Sequence, residues 1–213
     1  MDYLISLMPA MARGLLETVK IFSITLILSL PLGLVLGLVR RSRIKPVARL
    51  IEIYIWIMRG TPLMLQIVFV FFGLPVVGLS LDRFPAVILA FVLNYAAYFG
   101  EIFRGGIESI DRGQYEAAKV LGFTRTKTFI RIILPQAIKR VMPSLANEVI
   151  TLIKDTSLVY IVGIGELLRA GKIASNRDVS LLPLVLVGAI YLVMTGIMTI
   201  ILRKLEYRYS YYE

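Results

Sequence analysis

The sequence contains no cysteine and no histidine, and only 18% of its residues are charged. Without cysteine there is no disulfide, no thiolate nucleophile and no thiolate-bound zinc; without histidine there is no His-based triad, imidazole metal site or imidazole pH switch. Most hydrolase and redox mechanisms drop out. A phosphate-cradling G-x-x-x-x-G-K-[ST] loop is missing too: the nearest string, GFTRTKT at Gly122 to Thr128, lacks the glycine before its lysine. What is abundant is apolar surface. Hydrophobic residues make up 58% of the 213 and the mean hydropathy is +0.80, whereas soluble domains run at about half apolar and about a quarter charged. The composition is that of an integral membrane protein.

A helix that crosses hydrocarbon needs about 20 apolar residues. Residues 15–39, 84–103 and 181–202 each supply such a run, and nothing after Arg13, Glu17 and Lys20 reads as a signal-peptide cleavage site. Residues 50–79 are too long for one straight crossing and are interrupted by RGTP, Arg59 to Pro62, so they read as one bent span. Basic residues gather at Arg40, Arg41, Arg43, Lys45 and Arg49, and again from Arg104 to Arg140, which marks both stretches as cytoplasmic. The loop with Asp82 and Arg83 then lies outside, as does the N-terminus. Arg203, Lys204 and Arg208 return to the cytoplasm only if residues 143–164 make a fifth crossing, although each central charge there carries an insertion penalty of about 2.5–3.5 kcal/mol. The expectation is an all-α membrane protein forming a single domain over residues 1–213. It has five transmembrane helices, the C-terminus in the cytoplasm, and a cytoplasmic loop over about 104–140. The net charge of +10 is spread between apolar runs rather than gathered on a soluble face, so anionic lipid heads and not nucleic acid are the expected partner. Tyr207, Tyr209, Tyr211 and Tyr212 are expected to anchor the interface.

Helical arithmetic sorts the charges of the fifth run. At about 100 degrees per residue, Glu148, Thr151 and Asp155 share one stripe, with Lys154 about a quarter turn away. Asn94, Tyr98 and Glu101 form a second polar stripe in the third span. Intramembrane carboxylates of this kind face a protein interior or a wet cavity. The alternatives are structural: Asn94 and Tyr98 bonding a neighbouring helix, Glu101 pairing with Arg104, and Lys154 neutralising Asp155. Arg59 has structural readings as well, either snorkelling to phosphate or pairing with Glu52 on the same face.

In the cytoplasmic loop, GQYEAAKVLGFTRTKTFIRIILPQA reads as a short helix over Gln114 to Leu121, a left-handed stop at Gly122, and a second helix over Thr124 to Leu134 ended by Pro135. Ala117 and Ala118 leave backbone open to close approach, beside Glu116 and Tyr115. Read from its residues alone, the pair suits either a groove on another protein or a lipid surface.

The string EAAKVLGFTRTKTFIRIILPQA resembles the EAA motif of bacterial ABC importer permeases. RGTPLMLQ and YFGEIFRGGIESIDRGQYEAA resemble segments of their polar amino acid uptake branch, of the histidine/glutamine/arginine type, which extends the likeness from about Gly14 to Tyr207. The resemblance implies a multi-pass permease of the bacterial inner membrane, paired with a second copy or a close paralogue. It implies two cytoplasmic ATPase subunits and an extracytoplasmic substrate-binding protein as partners. No cofactor is implied on this chain, since ATP and Mg belong to the ATPase subunits, and no metal or catalytic residue is implied either. Tyr115, Glu116, Ala117, Ala118, Leu121 and Gly122 become the ATPase-docking element, and Arg59, Gly60 and Pro62 a hinge or gate. Glu148, Asp155, Thr151, Asn94 and Tyr98 are the expected substrate residues. Two anions about 10 Å apart along one helix suit a basic amino acid such as arginine, lysine or histidine moved by alternating access. If Lys154 cancels Asp155, glutamine or another neutral polar amino acid fits instead. A self-contained carrier or channel and a purely structural subunit are the remaining alternatives; no internal duplication supports the first.

Overall fold

Two glycines one helical turn apart let two long helices meet backbone to backbone. A Cβ on Gly33 would lie 2.5 Å from the Phe99 Cβ, and one on Gly37 would lie 2.7 Å from the Gly100 carbonyl oxygen. The first helix therefore runs backbone against backbone along the third apolar run. Lipid supplies no hydrophobic drive to join helices, so close approach at small residues is what lets dispersion hold them together. In this computed structural model residues 2–42 and 44–210 are described, and all their regular structure is helical. Arg43, Tyr211, Tyr212 and the Tyr209 side chain lie outside the described residues.

Helix α1 spans Asp2–Val39, α2 Lys45–Gly60 and α3 Leu63–Val68, the last continued by a π turn (Phe69–Gly73) and a 3-10 turn (Leu74–Val77). Helix α4 spans Arg83–Glu108, α5 Arg112–Val120 and α6 Arg125–Thr128, followed by a π turn at Phe129–Ile133. Helix α7 covers Leu134–Asp155 and passes into 3-10 structure at Thr156–Val162, before α8 (Leu167–Asp178) and α9 (Leu182–Ser210). Among the described residues three helices are long and apolar enough to cross a membrane, α1, α4 and α9; the α2–α3 pair joins them if its 106° break is one interrupted span. The kink expected at RGTP is thus a turn past perpendicular. Helix α7 does not qualify on apolarity, as its charges dictate.

The main core is built around α4, which buries Phe91, Tyr95, Phe99 and Phe103 against Ile21 and Phe22 of α1 and Val141, Leu145, Val149 and Leu152 of α7. At about 1.5 Å per residue α1 is nearly twice as long as the hydrocarbon is thick. Its first half forms a second core instead, with Leu7 and Met11 packed on Leu167 and Ala174 of α8 and Val187 of α9. Helix α8 was not expected from sequence. Its first turn is capped by Glu166, a fully buried carboxylate that accepts from the Leu168 and Arg169 amides at 2.6 and 2.7 Å. At its far end Tyr3 Oη donates to Asp178 at 2.7 Å. The Arg177 guanidinium, helped by Tyr3, holds the Asp178 carboxyl down at about 2.

One expectation about a helix end is corrected. Pro135 does not terminate the second loop helix: it sits in the first turn of α7, and the π turn that runs directly into α7 accommodates its missing donor. Helix α7 begins before the expected span of residues 143–164 and carries Pro143 inside it. The stretch that follows it to Val162 is 3-10 rather than α.

Candidate functional site

The break after α2 strands the last carbonyls of that helix, and side chains from elsewhere satisfy them. Thr61 Oγ1 donates to the Ile57 carbonyl at 2.9 Å, and Gln66 Nε2 donates to the Met58 carbonyl at 2.9 Å and to Thr61 Oγ1 at 2.8 Å. Asn94, buried on α4, donates to both the Met58 carbonyl and Gln66 Oε1 at 3.0 Å. Tyr54 Oη adds a 2.6 Å bond to the Leu93 carbonyl. The break is therefore a built corner pinned to α4, and its inner side is open space: a Cβ on Gly60 would meet nothing.

That space is a cavity of about 470 Å³. From the corner it is lined by Arg59, Gly60, Thr61, Pro62 and Leu63, from α4 by Asn94, Tyr95 and Tyr98, and from α7 and the turn after it by Glu148, Thr151, Asp155 and Leu158. The structure brings together all five expected substrate residues and all three expected hinge residues. Glu148, Thr151 and Asp155 are half-buried on one face of α7, while Lys154 is exposed on another and forms no ion pair with Asp155. Asp155 instead accepts from the Tyr95 hydroxyl at 2.7 Å.

Some residues fall elsewhere. Glu101 leaves the Asn94–Tyr98 stripe and lies in a neighbouring cavity of about 590 Å³, with Arg40, Arg49, Glu52, Trp56 and Arg59. There Arg40 bridges Glu101 and Glu52, and Arg104 bridges Glu101 and Glu108. Glu101 is thus paired from the turn that follows α1 as well as by its own helix. Arg59 does not pair with Glu52, which Arg40 and Arg49 already hold; its guanidinium carbon stands 5.3 Å from the Tyr98 ring centroid. Asn94 is mainly spent on the corner. Tyr95 was missed: it sits about 100 degrees from Asn94 on the face that fills the core, and only its hydroxyl reaches the cavity.

In the loop, Gly122 adopts φ +74°, as a left-handed stop requires. Glu116, Ala117, Val120, Leu121 and Gly122 are exposed, Val120 and Leu121 at 87% and 74%. Ala118 is 1% exposed and Tyr115 packs inward on Ile107, Ile110, Ile133 and Ala137, so these two of the six expected docking residues lie behind the exposed face and support it. The same small core clamps the loop to the end of α4 and the start of α7, with Arg140 donating to the Ser109 carbonyl.

Residues 29–211 match the family described as binding-protein-dependent transport system inner membrane component. The arginine transport system permease protein of Bacillus subtilis is 40% identical over 93% of this chain and 91% of its own length. A probable glutamine ABC transporter permease of the same organism is 34% identical over 92% and 91%. A solved amino acid ABC transporter with histidines shares 34% identity at a TM-score of 0.90, with 97% of each chain covered. A methionine ABC transporter at 19% identity and a TM-score of 0.76 has the same fold. A cavity between charged helices, a loop clamped to two of them, and these likenesses over nearly the whole length lead to one conclusion: the chain belongs to the binding-protein-dependent transport system inner membrane components, as the non-catalytic, multi-pass permease subunit of an inner-membrane ABC importer for polar amino acids, with ATP hydrolysed on a separate subunit.

Proposed function

We propose that this permease moves a basic amino acid, and that the cavity between the α2–α3 corner, α4 and α7 is where the substrate rests. The observation that carries this reading is the position of Lys154. It lies on the exposed side of α7 and makes no ion pair with Asp155, which leaves the carboxylates of both Glu148 and Asp155 facing the cavity. Two half-buried carboxylates at this spacing suit an α-ammonium and a side-chain cation together. A neutral amino acid such as glutamine would match one of them and leave the other without a counter-ion. The Bacillus subtilis arginine permease supports the same choice.

The proposed frame has five crossings, α1, the broken α2–α3 pair, α4, α7 and α9, with the N-terminus outside and residues 104–140 in the cytoplasm. Two permease subunits stand on two ATPase subunits, the exposed face of α5 docks into each ATPase, and a binding protein delivers from outside. The loop core ties α5 to the ends of α4 and α7, the helices that carry most of the cavity's polar groups. Closure of the ATPase dimer therefore moves both cavity walls as levers, which is the mechanical requirement for alternating access.

The test is uptake of labelled arginine into vesicles holding the reconstituted complex, with unlabelled amino acids as competitors. Glu148→Gln and Asp155→Asn should each weaken arginine uptake about 10- to 100-fold, the loss of one charge-assisted bond worth about 1.5–3 kcal/mol. Basal ATPase activity and assembly should be preserved. Unchanged uptake in both variants, or competition by glutamine as strong as by arginine, removes the basic-substrate reading.

A further inference from the structure

We infer that Arg59 binds the α-carboxylate of the substrate and so makes the cavity select amino acids over simple cations. The inference rests on the reading of this cavity as the amino acid site. Three charged side chains line it: Glu148 and Asp155 as anions, Arg59 as the cation. A basic amino acid carries the complementary set, two cations and one anion. Each cavity carboxylate takes a cation, and the substrate's carboxylate is left with Arg59 as its counter-charge in the lining. Without that cation, the substrate carboxylate would be desolvated beside two like charges, an arrangement that disfavours binding.

The arginines around it make the case stronger. Arg40 and Arg104 are both committed to Glu101, and Arg49 to Glu52. Arg59 lies about two turns along α2 from Glu52 on the same face yet forms no ion pair among the described residues. It rests instead at the Tyr98 ring. A cation–π contact of that kind engages the ring without using up the guanidinium's N–H donors, which remain for a bidentate carboxylate. The orientation also agrees with the substrate's covalent structure. Of the two cavity carboxylates, Asp155 already accepts a 2.7 Å bond from the Tyr95 hydroxyl, whereas no hydrogen bond or ion pair occupies Glu148 among the described residues, which leaves it to share the substrate's α-carbon with Arg59. An amino acid holds its carboxylate and α-ammonium on one carbon, so Arg59 and Glu148 form the natural pair for that end. Asp155 then receives the side-chain cation. Arg59 also walls the neighbouring cavity with Arg40 and Glu101, which sets the carboxylate at the seam between the two spaces.

The competing account is structural: Arg59 as a cation closing the last turn of α2. Equilibrium binding of labelled L-arginine to the purified permease–ATPase complex in nanodiscs, without binding protein, separates the two. The competitors are L-arginine, L-argininamide, in which a carboxamide replaces the carboxylate, and agmatine, which has none. Wild type should bind argininamide and agmatine about tenfold or more weakly than arginine. R59Q should lose about tenfold for arginine while keeping agmatine at wild-type strength, which also certifies an intact cavity, and R59K should recover part of the preference for arginine. Equal binding of arginine and argininamide by wild type overturns the inference without any variant, as does an undiminished preference in R59Q. If wild type binds glutamine rather than arginine, the basic-substrate reading fails alone. Glutamine against its α-amide then reads Arg59 in the same way, a lost preference in R59Q supporting it and a retained one overturning it.

Discussion

Asp155 is held by a residue that a stripe rule passes over. Counting every third or fourth position along α4 selects Asn94 and Tyr98, yet the side chain bonded to Asp155 is Tyr95, 2% exposed with its ring in the core and its hydroxyl 2.7 Å from the carboxylate. That bond orients Asp155. Tyr95→Phe removes one donor from a half-buried carboxylate, a loss of about 1–3 kcal/mol. Arginine binding to the purified complex should weaken by about tenfold. Lys154→Gln makes the opposite case: this lysine lies outside the cavity, so arginine affinity in the same assay should stay within about twofold of wild type. A large change in the lysine variant would restore the account in which Lys154 cancels Asp155. The acidic stripe of α7 was legible because its members obey the helical period and have no apolar reason to be there. Tyr95 was not, since an aromatic beside a polar position reads as core, and the one atom that matters is set by a rotamer rather than by a spacing.

The elements divide in the same way. RGTP announced an interruption, because Gly60 and Pro62 weaken a helix wherever they fall, but its 106° angle was not legible. The angle depends on Asn94 and Gln66, which come from outside the motif to satisfy the freed Met58 carbonyl. Asn94→Leu should therefore act on the corner before it acts on substrate: with the buried carbonyl short of one donor, the complex should lose about 1–3 kcal/mol of stability, seen as a lower melting temperature in detergent. Retention of the wild-type melting temperature would return Asn94 to a purely substrate-facing role. Helix α8 escaped notice because a 12-residue amphipathic run with basic residues resembles a loop until Glu166 is seen capping it. The seam between α1 and α4 was legible in principle, as G-x-x-x-G at Gly33 and Gly37, and was passed over beside the length of the apolar run. At Gly37 an added Cβ meets backbone on Gly100 and Arg104. Gly37→Val must accordingly push the helices apart, with about 1–3 kcal/mol of strain and a matching fall in melting temperature.

At the scale of the whole molecule, everything turns on whether α7 crosses the bilayer. Apolarity alone does not select it, whereas α1, α4 and α9 pass on length and composition. Charge balance requires it, since the basic end of α9 otherwise emerges outside. The fold gives a physical reason why a charged helix is tolerable there: Val141, Leu145, Val149 and Leu152 are buried on neighbouring helices, and Glu148 and Asp155 open into a cavity and not into lipid. Because the natural chain has no cysteine, single introduced cysteines report position without background. Ser80→Cys and Ser180→Cys should react with a membrane-impermeant maleimide added to whole cells. Ser42→Cys and Gln114→Cys should react only after the cells are opened. Ser180 is the decisive position, lying between α8 and α9. If its cysteine is labelled only from the cytoplasmic side while Ser80→Cys is labelled from outside, α7 does not cross, the chain has four crossings, and the cavity lined by Glu148 and Asp155 loses its place in the permeation path.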